Sequence, residues 1–132
     1  MEKNLDMTEG INKRSFGGEG EKLAADYLVQ NGYRLLDMNY RFGRMGEIDI
    51  VAAQDEFICF IEVKTRTGSF FGRPCEAVGW RKQENLRRLA WAYLKHKGLT
   101  DRNARFDIVE VTGDRIDEKF INIKINLIRN AF

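Results

Sequence analysis

The run Phe57-Ile58-Cys59-Phe60-Ile61 is apolar at every position. Side chains alternate between the two faces of a strand, so such a run is buried only if both faces are covered. The stretch Gly46-Glu47-Ile48-Asp49-Ile50-Val51-Ala52-Ala53 is nearly as apolar. Two strands of this kind call for a central sheet with helices on each side. Within them the chain places Asp49, Glu62 and Lys64. Charges buried there are expensive unless they pair with one another or hold a metal.

At 132 residues the chain is long enough for one domain with a substantial core. No apolar run reaches the roughly 18 residues of a membrane span, so no membrane association is expected. The start, Met1-Glu2-Lys3-Asn4-Leu5-Asp6, lacks the apolar segment of a secretory signal. Cys59 reads as a small buried hydrophobe, and Cys75 has no partner at metal-ligand spacing. Together they suggest a reducing, cytoplasmic setting without a disulfide. His96, the sole histidine, falls between Lys95 and Lys97 at a helix end and reads as a solvated surface residue.

The expected order is αβββαββ, an α/β fold with a mixed central sheet. Residues 1–15 are polar and aperiodic, a flexible N-terminal arm before a single domain over 16–132. A helix is predicted over 18–30, ended by Asn31-Gly32, and another over 80–97, ended by Gly98. Strands are predicted at 33–39, 46–53, 56–65, 105–112 and 119–127. Gln54-Asp55 and Gly113-Asp114 mark tight turns, and residues 66–79 form a loop holding the single proline, Pro74.

Periodicity then gathers the charged residues. Glu62 and Lys64 share one face of their strand, as Glu47 and Asp49 share one of theirs. If the two strands pair as a hairpin, Asp49 sits across from Glu62 and Lys64. On the first helix Glu21 lies on the stripe of Ala24, Ala25 and Leu28 that faces the sheet. On the second, Leu86, Leu89, Ala90, Tyr93 and Leu94 form the core stripe, with Lys82 and Gln83 at its N-terminal end. Arg81, Arg88 and Lys95 line the opposite face.

Three carboxylates and a lysine at one spot suit hard-cation chemistry, with Mg²⁺ or Mn²⁺ acting on a phosphodiester. The structural alternative is a buried ion-pair cluster, but three acids around one lysine leave surplus negative charge. Residues 64–105 hold 11 Lys and Arg against three acids, a net +8 within a chain of net +2. A basic segment beside an acidic pocket fits nucleic acid held over a metal. Candidate contacts are Arg66, Arg73, Arg81, Lys82, Gln83, Arg88 and Lys95. Phe70 and Phe71 read either as stacking residues or as packing under the loop, and Trp91 as a stacking residue or a subunit contact.

Asp49 followed by Glu62-Val63-Lys64 resembles the PD-(D/E)xK nuclease core of restriction enzymes and archaeal Holliday-junction resolvases. The closer resemblance is to the YraN-like family of small bacterial proteins with an endonuclease-like fold. It is carried by Gly20-Glu21, Gly32-Tyr33, Asn39-Tyr40-Arg41, Gly46-Glu47-Ile48-Asp49, Glu62-Val63-Lys64-Thr65-Arg66, Phe71-Gly72, Pro74, Lys82, Arg105-Phe106-Asp107 and Asn130-Ala131-Phe132. The resemblance implies a restriction-endonuclease-like three-layer fold. It also implies Asp49 and Glu62 as metal ligands, Lys64 as the catalytic lysine and Glu21 as a further acid. Ile48 stands where the wider superfamily often has proline, a residue that does no chemistry. The expectation is a Mg²⁺- or Mn²⁺-dependent nuclease on structured DNA, with a non-hydrolytic DNA-binding module as the alternative. So small a nuclease is expected to use a second copy or a protein partner to choose where to cut.

Overall fold

The computed structural model describes residues 16–67 and 78–132. The predicted N-terminal arm, and Phe70, Phe71, Arg73, Pro74 and Cys75 of the loop, lie outside them. The described elements run α1 (Phe16–Gln30), β1 (Arg34–Arg41), β2 (Glu47–Gln54), β3 (Phe57–Thr67), α2 (Trp80–Lys97), β4 (Asn103–Ile116) and β5 (Lys119–Ile128). This is the predicted αβββαββ order.

The strands form one sheet in the order β1-β2-β3-β4-β5. β3 and β4 pair in parallel from Phe57↔Asn103 to Thr67↔Gly113, while the other three pairings are antiparallel. Parallel neighbours cannot be joined by a hairpin, and α2 makes the required crossover. Each sheet face has its own core. Ala24, Ala25 and Leu28 of α1 pack with Ile50, Ile61, Val109 and Val111. Leu86, Leu89, Tyr93 and Leu94 of α2 pack with Val51, Ile58, Phe60 and Ile108. The apolar run of β3 is divided between these cores, as its lack of alternation requires. The result is a three-layer α/β fold consistent with the restriction-endonuclease-like class.

Both helices stop where glycine predicts. Gly32 and Gly98 hold φ of +90° and +69°. Each donates to the carbonyl three residues back, and the following residue donates five back: Tyr33 to Leu28 at 3.0 Å, Leu99 to Leu94 at 2.8 Å. These are Schellman closures, which satisfy the carbonyls a helix end leaves free.

Two predicted turns are corrected. Gln54 pairs with Phe57, so the β2–β3 turn is Asp55-Glu56. Gly113-Asp114 is no turn: β4 continues to Ile116, and the two-residue turn is Asp117-Glu118, with φ of +51° and +66°. Gly113 instead marks a close approach inside a bulge. A Cβ there would come within 2.8 Å of the Ile121 carbonyl and of the Phe120 ring.

Gly20 performs the same service for α1, where a Cβ would collide with the Thr65 side chain. The missing side chain lets the helix settle on β3 at the level of Glu21. Gly20→Ala should lower the melting temperature. Overpacking against both Thr65 Cβ and Oγ1 falls near the top of the usual range of about 1–3 kcal/mol. That exceeds the roughly 1 kcal/mol by which alanine favours a helix over glycine. Adding Thr65→Ala should recover the loss, and a Gly20→Ala melt unchanged from wild type would refute the close approach.

Candidate metal centre

The pairing of β2 is interrupted around Asp49, and the acids gather there. Asn39 of β1 has φ +54° and lies opposite Asp49, between the pairs Met38↔Ile50 and Tyr40↔Ile48. Across this point the pleat inverts: Met38 and Ile50 face α1, whereas Tyr40 and Ile48 face α2. On the other side of Asp49, β2 and β3 stop pairing after Ile50↔Ile61. Asp49 Oδ2 takes over from the missing ladder by accepting the Val63 N–H at 2.8 Å. A carboxylate thus stands where a backbone carbonyl would otherwise be, in a gap open to both faces.

Glu21 reaches the gap from α1 and Glu47 from the start of β2. One carboxylate oxygen from each of Glu21, Glu47 and Asp49 lies within 4.8 Å of the others. The Asn39 side-chain amide donates to Glu21 Oε1 and to Glu47 Oε2, each at 3.1 Å, holding the two acids in place. Arg41 offsets part of the charge, with Nε 3.0 Å from Glu47, although its side chain is largely exposed. Asp49 has no cation in salt-bridge range among the described residues. Desolvation first, and then the charge of Glu62, push its carboxyl well above the usual range; the Val63 N–H opposes this, while Glu21 and Glu47 add to it.

Glu62, on β3, is buried and points toward α2. Its Oε2 receives the Lys82 ammonium at 2.7 Å and lies 3.6 Å from that of Lys64. Desolvation lowers the Lys82 pKa, but the hydrogen bond and charge of Glu62, then Asp49 and Glu47, outweigh it and leave it raised. Lys82 sits in the first turn of α2 beside Arg81, with no acid in that turn. Two cations at the positive end of a helix dipole are locally unfavourable. Their position is explained by what they face. Arg81 and Lys82 form one wall of an open cavity of about 620 Å³ whose other wall is Glu47, Asp49 and Glu62.

The donor set fits a hard divalent ion. Three carboxylates converge without histidine or cysteine, one of them with its carboxyl pushed up by burial and then by the Glu62 charge, beside space for water and a phosphate. Of the residues singled out from sequence, Glu21 and Asp49 meet here with Glu62 and Lys64 adjacent. Arg66 instead lies 3.9 Å from Glu110, and Gln83 donates its amide to the Val78 carbonyl at 2.8 Å. Arg88 and Lys95 lie on the outer face of α2, lining a second cleft, and Arg73 is outside the described residues. Sequence reasoning passed over Glu47 and Asn39 as site residues. A glutamate at a strand start is unremarkable, and only the positive φ at Asn39 aims its amide.

A family model described as uncharacterised protein family UPF0102 matches residues 20–111, a span containing every residue of the acid cluster and both lysines. The UPF0102 protein of Acetivibrio thermocellus is 47% identical over 125 residues, covering 92% of this chain and 93% of its own length. That of Alkaliphilus oremlandii is 48% identical over 124 residues, covering 92% and 100%. That of Moorella thermoacetica is 48% identical over 122 residues, covering 92% and 98%. Matched over most of its length by the family model and by full-length relatives, the chain belongs to the UPF0102 family, the small bacterial family its motifs resemble.

Proposed function

We propose that the protein is a Mg²⁺- or Mn²⁺-dependent nuclease acting on structured DNA. The reading is carried by one observation: three carboxylates meeting at the break in the sheet, in a cavity whose facing wall is cationic. An ion held by Glu21, Glu47 and Asp49, with Glu62 beside them, would polarise water and a phosphodiester and offset charge developing on phosphate. The chain's own groups divide the remaining work. Asn39 fixes the orientation of Glu21 and Glu47. Lys64 and Lys82 are ammonium donors placed to orient the attacking water or to neutralise the phosphate as charge builds on it. Arg81 at the cavity rim holds a neighbouring phosphate. The structured-DNA preference rests on the resemblance to junction resolvases, in which a helix acid corresponds to Glu21.

The test is cleavage of end-labelled duplex, single-stranded, flap and four-way-junction DNA, with Mn²⁺ and with EDTA. Cleavage of at least one substrate with Mn²⁺, lost in EDTA and in Lys64→Ala, is the expected result. DNA bound but left intact in every arm would replace the nuclease with a binding module.

A further inference from the structure

Beyond the acid cavity, α2 presents a second concavity to solvent. It measures about 410 Å³ and is lined by Phe42 of the β1–β2 loop and by Arg88, Trp91, Ala92, Lys95 and His96 of α2. Phe42 and Trp91 are 49% and 54% exposed. Two large aromatics from different elements thus share a hollow that the described chain does not fill. The Lys95 ammonium lies over one face of the Trp91 ring, 6.0 Å from its centroid, and more than half of the Trp91 surface is open to solvent. Among the described residues no acid lines the hollow, and α2 carries a single acid, Glu84, against six Lys and Arg.

The two concavities share a stripe of the helix. Arg81, Asn85, Arg88, Ala92 and Lys95 recur at i, i+4, i+7, i+11 and i+14, which is one face of an α-helix. The first two line the acid cavity and the last three line the aromatic cleft. At 1.5 Å per residue the stripe runs about 21 Å, enough to follow a few nucleotides of backbone. Resting on the nuclease reading above, we propose that this cleft stacks an unpaired base of the substrate strand against Trp91 and Phe42. Arg88 and Lys95 would hold its phosphates while a neighbouring phosphate enters the acid cavity. A paired base keeps both faces against its neighbours in the duplex. Only an unpaired or extruded base can offer a face to an indole. The charge around the hollow also sets it apart from a protein-docking core, where charged residues are depleted.

The experiment uses the Asp49→Asn chain in EDTA, so that binding is read without metal or cleavage. The probes are oligonucleotides carrying 2-aminopurine in a single strand, at a bulge in a duplex, and in a fully paired duplex. The unpaired probes should bind more tightly than the paired one, and their fluorescence should quench on binding. Trp91→Ala should weaken binding of the unpaired probes about tenfold and remove the quench. Trp91→Phe should restore most of both, and the paired probe should respond to neither change. Trp91 is exposed, so its truncation leaves the core intact. Equal binding by Trp91→Ala and its parent would overturn the proposal. So would a wild-type dimer that Trp91→Ala splits into monomers, since the cleft would then belong to a second copy. The two readings fail separately. A wild type that stacks the base but cuts nothing fails as a nuclease. A Trp91→Ala chain that binds and cuts like wild type removes only the stacking site.

Discussion

Asp49→Asn is expected to abolish cleavage while leaving the apo protein at least as stable as wild type. The asparagine oxygen still accepts the Val63 N–H, so the bridge across the strand gap survives. What disappears is one charge from a crowd of four carboxylates. Both lysines of the site lie on Glu62, so neutralising Asp49 strands neither. Mn²⁺ should stabilise wild type by about 1.4 kcal/mol at ten times Kd, read as a raised melting temperature, and should leave the variant unchanged. pH gives a second reading. Burial first, and then the Glu62 charge, raise the Asp49 carboxyl well above the usual carboxylate range, so over that window the folded state holds more protons than the unfolded state. The site's contribution to stability is therefore full below the ordinary carboxylate range and lost as pH rises through the elevated value. Asp49→Asn should flatten that part of the pH profile, and the Mn²⁺ effect should grow with pH as metal displaces proton. A strongly destabilised variant beside a wild type indifferent to Mn²⁺ would identify an ion-pair cluster instead.

The largest stability loss should come from a residue outside the site. Asp107 is fully buried. It accepts from the Tyr33 hydroxyl at 3.0 Å, from Arg105 Nε and Nη2 at 3.0 and 3.1 Å, and from the Asn130 N–H at 2.8 Å. Burial first, and then the Asp107 charge and its hydrogen bond, push the Tyr33 hydroxyl up to about 12, so it remains a donor at any physiological pH. Asp107→Ala would leave Arg105, only 12% exposed, facing an empty acceptor site. Breaking a buried pair from one side costs about 3–5 kcal/mol, a large share of the roughly 5–15 kcal/mol a domain has. Urea denaturation should show that loss, with Asp107→Asn between the two. A change under about 1 kcal/mol would mean the cluster is not the lock its geometry describes.

The order of elements was legible because each signal was local. Apolar runs marked β2 and β3, two glycine exits ended the helices, and the stripe of Leu86, Leu89, Ala90, Tyr93 and Leu94 gave the buried face of α2 residue for residue. Asp49 and Glu62 were legible because carboxylates in apolar strands are costly. Glu47 and Asn39 were not, since the pleat inversion that joins them is a property of paired strands. Lys82 could be placed on the inward stripe of its helix, but its partner on β3 is set by the crossover. Gly113 misled for a related reason: Gly-Asp is a strong turn signal, and only the Phe120 ring beside it shows that the position needs space. Asp107 was one residue of a motif until its burial and four donors were visible.

The break between β2 and β3 has a consequence for how the protein acquires its charge cluster. Asp49 and Glu62 belong to one hairpin with a two-residue turn, the kind of local pairing that forms early in folding. Their balancing cation arrives from further along the chain. Glu21, a third carboxylate, and the Asn39 amide come with α1 and β1, and Lys82 comes only once α2 has crossed to bring β4 beside β3. Until that long connection closes, Glu62 has Lys64 alone and the hollow is open to water. The bare hairpin carries two carboxylates that repel each other where its ladder should continue, which disfavours pairing beyond Ile50 and Ile61. The charge that prepares the protein for its chemistry also keeps two apolar strands from zipping fully before the helices cover them.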